Sequence, residues 1–211
     1  ISWYVNFDRQ LMQMSQRYCE LNAAESFAQW FRYSVENAGF RGCRRLSLSP
    51  NVLPFAGLHL TAENAFQLAQ AGWQARYADP QTRQAVLTIL NPQTLLVKST
   101  GGFAVGDTIL LADCANAELN QIKAVGQEKI TLSEPLKLPY TQADIYLYRE
   151  EFFYLQGSTL NRRESHGRVT KLVSAIADLK VTLKDRGVAA KVVFNCQPMA
   201  SSWYFWQGLQ V

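Results

Sequence analysis

Four cysteines, Cys19, Cys43, Cys114 and Cys196, are the residues of this chain with the clearest chemistry open to them. No two stand close enough in sequence for the short CxxC pairs of zinc ribbons or thioredoxin-like redox sites. An even number at wide spacing fits two structural disulfides formed in an oxidising compartment, with three connectivities open. Four buried free thiols in a cytosolic protein fit the count equally well. Number and spacing alone leave both alternatives standing.

Acid–base and metal chemistry find little material. The two histidines are His59, in an apolar stretch after Gly57-Leu58, and His166, in the polar turn Glu164-Ser165-His166-Gly167. No spacing supplies either with carboxylate or cysteine partners for a metal. HExxH, GxSxG, Walker A and GxGxxG patterns are all missing from the sequence. Glu150 and Glu151 are adjacent, and neighbours on a strand point to opposite faces, so they would not share a site. Asp107 after Gly106 reads as a turn residue feeding a strand. The expectation is a chain that is not an enzyme, with no catalytic residue, cofactor or metal.

Binding chemistry is better represented. Arg41, Arg44 and Arg45 form one basic group and Arg162, Arg163 and Arg168 another. A phosphate-binding surface needs such clusters, whereas solvated surface arginines need no ligand at all. Trp203-Tyr204-Phe205-Trp206 is the densest aromatic cluster and could form an exposed ledge for sugar, base or partner protein. A closing strand with two rings on a core and two beneath a covering loop would account for the same residues. The net charge of +4 is mild, and 48% hydrophobic with 18% charged residues excludes wholesale disorder. No run approaches the ~18 apolar residues of a membrane span, and no signal peptide is present.

The elements that must carry these residues begin with a long helix. Apolar side chains recur at Tyr4, Phe7, Leu11, Met14, Tyr18, Leu21, Ala24, Ala28, Phe31 and Val35, every third or fourth position. From Tyr18 onward a second apolar stripe of Cys19, Ala23, Phe27 and Trp30 joins the first. A wider apolar face means more neighbours, so the C-terminal half should lie on a core while the N-terminal half projects or meets other helices. Gly39 suits the left-handed conformation that follows a last helical turn. The chain opens on Ile1 rather than Met, so an upstream segment is expected to have been removed.

Residues 44–84 read as irregular with short helical pieces, one of them Thr61–Leu68, and Asp79-Pro80 marks a turn. Beyond it the pattern shifts to strands at 84–90, 94–99, 107–112, 119–125, 129–132, 144–155, 159–163, 169–172, 177–184 and 188–195, most of them separated by Gly- or Asn-containing turns. The last two, around Asp185-Arg186-Gly187, make a hairpin. The order predicts an α+β fold: a truncated helix over 1–43, then a β-rich head over 44–211, mainly antiparallel.

The stretch Ala38-Gly39-Phe40-Arg41-Gly42-Cys43 resembles the end of the first helix in PilW-type minor pilins of type IV pili. Three later segments are similar in order. Val105-Gly106-Asp107-Thr108-Ile109-Leu110-Leu111-Ala112-Asp113-Cys114 looks like the family's Gly-Asp strand ending in Asp-Cys. Phe152-Phe153-Tyr154-Leu155 with Ser158-Thr159-Leu160-Asn161-Arg162 looks like its aromatic strand and Leu-x-Arg hairpin. Leu172-Val173-Ser174-Ala175-Ile176-Ala177-Asp178-Leu179 looks like its Leu-Val-x-x-Val-x-Asp-Leu segment. Residues 44–84 match nothing in the pattern, and neither Cys19 nor Cys196 belongs to it.

The resemblance implies a type IV pilin-like fold, with a leader and an apolar helix half that are missing here, so that the chain would be a soluble truncated form. It implies an inner-membrane precursor with a periplasmic head, then a place in a cell-surface pilus. It also implies a Cys43–Cys114 bridge, after which Cys19–Cys196 follows as the second. Partners would be other minor and major pilins, through helix packing and head contacts, and the inner membrane through the missing segment. The subunit would prime assembly and could sit in a tip complex serving adhesion, twitching motility or DNA uptake.

Tyr4, Phe7, Leu11 and Met14 are assigned to helix packing in the filament, as knobs enter holes. Phe27, Trp30, Phe31 and Val35 are assigned to the head's own core. One alternative is a minor pseudopilin of type II secretion. Another is a secreted module that binds DNA or surface glycan through Arg162, Arg163, Trp203 and Trp206.

Overall fold

The three-to-four-residue periodicity at the start of the chain is realised as one helix, α1 (Ser2–Asn37). It stops where expected, because Gly39 takes a φ of 81° that a side chain would disfavour. The computed structural model describes residues 2–43, 51–165, 167–184, 187–196 and 199–208, with the side chains of 2–10 and 199–200 outside that description.

After α1 come β1 (Val52–Leu53), a single helical turn α2 (Ala62–Ala65), β2 (Phe66–Ala69), β3 (Gly72–Ala78) and a 3₁₀ turn at Pro80–Thr82. Then follow β4 (Gln84–Asn91), β5 (Thr94–Val97), β6 (Thr108–Ala112), β7 (Ala117–Val125), β8 (Lys129–Leu132) and β9 (Asp144–Gln156). The series ends with β10 (Thr159–Glu164), β11 (Val169–Val173), β12 (Ile176–Lys184), β13 (Gly187–Cys196) and β14 (Met199–Gly208).

This inventory overturns the α+β, type IV pilin-like expectation. The described residues are 52% strand and 18% helical, with 14 strands in two sheets and one N-terminal helix of any length. Strands that the sequence pattern concealed account for much of the shift. The segment read as irregular, 44–84, carries β1, β2 and β3 in its described part, and the closing strand considered around residues 203–206 is present as β14. The helix expected at Thr61–Leu68 lasts one turn. Thr61 caps it reciprocally with Asn64, and Phe66 then leaves at φ −135°, already extended.

The chain divides into two compact units, one formed by Ile1–Glu36, Leu68–Gln74 and Glu151–Leu209, the other by Asn37–Gln67 and Ala75–Glu150. In the first unit an aromatic core holds the later half of α1. Trp73 stacks on Phe153 with centroids 4.9 Å apart and receives the edges of Phe27 and Phe31 at 6.2 and 5.7 Å. Its indole Nε1 donates to Ser34 Oγ at 2.9 Å, and that hydroxyl donates to the Phe31 carbonyl at 2.9 Å, so the buried polar atoms are satisfied. Gly72 permits the approach, since a Cβ there would run into the Phe153 carbonyl. β10 lies antiparallel between β9 and β11. The remaining strands form an antiparallel sheet in the order β12-β13-β14, with Leu183 opposite Val188 in the expected hairpin. Phe205 of β14 packs on Phe27 at 5.0 Å.

In the second unit β6 is flanked by β7 and β9, with Leu110 facing Leu119 on one side and Tyr146 on the other. β4, β5 and β8 continue antiparallel, and β1 adds a short parallel pair to β7. One core gathers Leu95, Val97, Ile109, Leu111, Ile130 and Ile145; another gathers Leu60, Leu110, Ala112, Leu119, Tyr146 and Tyr148.

Candidate functional site

Both cysteine pairs named from the sequence come together, and all four cysteines are bridged. Cys19 of α1 joins Cys196 of β13 with Cα atoms 6.0 Å apart, inside the first unit. Cys43 joins Cys114 with Cα atoms 5.4 Å apart, inside the second. Each links positions far apart in sequence, 177 and 71 residues, a geometry that contributes about 2–5 kcal/mol per bridge by restricting the unfolded chain. Two such bonds persist in oxidising compartments and are rare where thiols are kept reduced.

The stretch that ends the helix is built to deliver Cys43. Gly39 N–H donates to the Arg76 carbonyl at 2.9 Å, and Phe40 accepts from Ala78 N–H at 2.9 Å, so these residues run beside β3. Phe40 sets its ring edge-on to Tyr146 at 5.6 Å. Gly42 has φ 82°, and a Cβ there would lie 2.6 Å from the Ala112 Cβ. Its carbonyl accepts from the Tyr146 hydroxyl at 3.1 Å. Gly39, Phe40, Gly42 and Cys43 therefore each have a structural task in the second unit.

Along α1 one stripe meets two environments. Leu11, Met14, Tyr18 and Leu21 are 49, 68, 70 and 57% exposed. Ala24, Phe31 and Val35 of that stripe are buried, as is Phe27 of the second stripe. Tyr4 and Phe7 lie on the helix, but their side chains fall outside the described residues. Trp30 departs from its assignment to the core: it is half-buried, and the Arg162 guanidinium sits 4.9 Å above its ring. Beside Cys19 a shallow groove of about 260 Å³ opens, lined by Asn22 and Ser26 of the helix and by Val173 and Ser174.

The arginines and tryptophans expected to share a binding surface are not gathered into one. Arg162 is tied to Glu151 at 3.2 Å and Glu164 at 3.0 Å, with Glu151 buried. Arg163 is exposed and covers Phe152 at 5.2 Å. Trp203 and Trp206 lie three residues apart on β14 and so face opposite sides of the sheet. Trp203 is half-buried, with its indole N–H donating to Ser201 Oγ at 3.3 Å, whereas Trp206 is exposed. Among the described residues, no three His, Cys, Asp or Glu side chains are grouped to hold a metal. His59 is exposed, and His166 lies outside the described residues. Glu150 pairs with Arg76 at 2.8 Å in the second unit, and Asp107 accepts from Ala104 N–H as a turn residue.

No family model, curated protein or solved structure matches this chain.

What remains is a chain with two bridges, an apolar helix stripe open to solvent, and, among the described residues, no helix long and apolar enough to cross a membrane. Elsewhere in the second unit, burial pushes the Tyr148 hydroxyl well above its ordinary pKa, and the nearby Glu150 charge adds to the shift.

Proposed function

We propose that this chain is a PilW-type minor pilin, a non-catalytic structural subunit that packs by its helix among other pilins and helps prime type IV pilus assembly. The observation that carries the reading is the exposed stripe Leu11, Met14, Tyr18 and Leu21, which continues without a break the stripe that builds the core further along. Large apolar side chains kept on one face of a helix and left in water are the signature of a surface awaiting a partner. The Cys43–Cys114 bridge and the glycine-supported Ala38–Cys43 stretch are further support, because they give structural work to the residues that carry the resemblance. The reading rests on helix and bridges, and draws nothing from the proportion of helix to sheet. An extracytoplasmic location agrees with the disulfides.

The test is Leu11→Glu in a strain whose only copy of the gene carries the change. Pili are expected to be lost, while the purified variant keeps the parental melting temperature. Normal piliation with a stable variant removes the helix-packing assignment. Neighbouring genes separate this reading from a type II secretion pseudopilin: pilin genes support the former, secretion-channel genes the latter.

A further inference from the structure

The sheet β12-β13-β14 has two unlike faces, fixed by its register. One carries Leu179, Val192 and Trp203, then Val181, Ala190 and Phe205, and packs on Phe27 of α1. On the other, Lys180, Lys191 and Tyr204 form one cross-strand row. Thr182, Ala189 and Trp206 form the next, and Lys184 lies opposite Gly187 beyond it. All three lysines are exposed, and Tyr204 and Trp206 are 74 and 58% exposed. Asp178 is the one carboxylate on this face among the described residues.

The rings are placed as platforms. Trp206 reaches over Gly187, where an added Cβ would strike the indole, and the greater part of its side chain stays open to solvent. Tyr204 sits two residues earlier, about 7 Å along the strand, with Lys191 Nζ 5.8 Å from its ring centre.

We propose that this face binds single-stranded nucleic acid, with successive bases stacked on Tyr204 and Trp206 and phosphates held by Lys180, Lys184 and Lys191. Aromatic rings interleaved with cations on one sheet face match a ligand with alternating π-faces and negative charges. Duplex DNA hides its base faces and would leave the rings idle. A neutral glycan would leave the lysines idle. The surface stands apart from the helix stripe, so either reading can fail without the other.

Fluorescence anisotropy of the intact, oxidised chain with a labelled twelve-nucleotide oligo-dT provides the test. Affinity is expected to fall with salt along a slope of about −2 on logarithmic axes, the value for three phosphates on a single strand. Tyr204→Ser, a change at an exposed side chain, should weaken binding about tenfold. The double variant Lys180→Glu/Lys191→Glu should weaken it further and flatten the slope. Circular dichroism confirms that each variant is folded. Unchanged affinity in folded Tyr204→Ser overturns the proposal, as does equal affinity for a duplex of the same length. Displacement of the oligonucleotide by a neutral oligosaccharide overturns it too.

Discussion

The two halves of α1 share one apolar stripe and have opposite fates. Leu11, Met14, Tyr18 and Leu21 stand in solvent, while Ala24, Phe31 and Val35 on the same stripe are buried, Phe31 against Trp73. Periodicity therefore tells which face of a helix is apolar without telling what covers it. The added stripe of Ala23, Phe27 and Trp30 marks the covered half, because burial from two sides needs two apolar faces. In the uncovered half the stripe is narrower and mostly flanked by polar residues, with Met12 exposed beside it.

The contrast can be broken most forcefully at Phe31. Phe31→Glu places a charge against Trp73 and should cost more than about 4 kcal/mol, enough to abolish the cooperative melt seen by circular dichroism. Removing the Cys19–Cys196 bridge with paired serines should cost about 2–5 kcal/mol by denaturant titration, since it ties α1 to β13 near the point where exposure gives way to burial. Ser34→Ala should cost about 1–3 kcal/mol by leaving the buried Trp73 N–H without its acceptor. The second unit should respond to alkali instead. Tyr148 keeps its proton when folded but releases it near pH 10 when unfolded, so its contribution is intact below pH 10 and lost above it, by at most about 1.4 kcal/mol per pH unit. Thermal melts between pH 9 and 11, compared with Tyr148→Phe, check this. Smallest of all, Leu21→Glu should shift stability by no more than about 0.5 kcal/mol, because its site is already wet. A large loss there would mean that the two halves do not differ.

Much of the architecture was legible where pattern and neighbours agree. Each strand segment read between 84 and 195 is occupied by one of β4 to β13, because alternation and turn residues act locally. β3 went unread although it carries a local mark: buried Trp73, Ala75 and Tyr77 alternate with half-buried Gln74 and Arg76, while Gly72 and two alanines lower its apparent strand propensity. The class was misjudged because 44–84 was read as irregular, although it holds the alternating β3 beside β1 and β2, which are too short to show a pattern. The cysteine pairs were reached through resemblance, since spacing left three connectivities open. Arg162 and Arg163 looked like one cluster, yet neighbours on a strand part company, and one went to Glu151 and the other to Phe152. The lysine and aromatic face escaped notice because register alone unites residues from three strands.

The Cys19–Cys196 bond also decides how this molecule would bear load. Traction applied to the helix before Cys19 and to the chain after Cys196 passes through one covalent link and bypasses the 177-residue separation between them, with the Cys43–Cys114 link nested inside. An oxidised molecule held in optical tweezers should yield none of that hidden length. Reduction would release about 600 Å of slack, at ~3.5 Å per residue, turning an inextensible tether into a long spring.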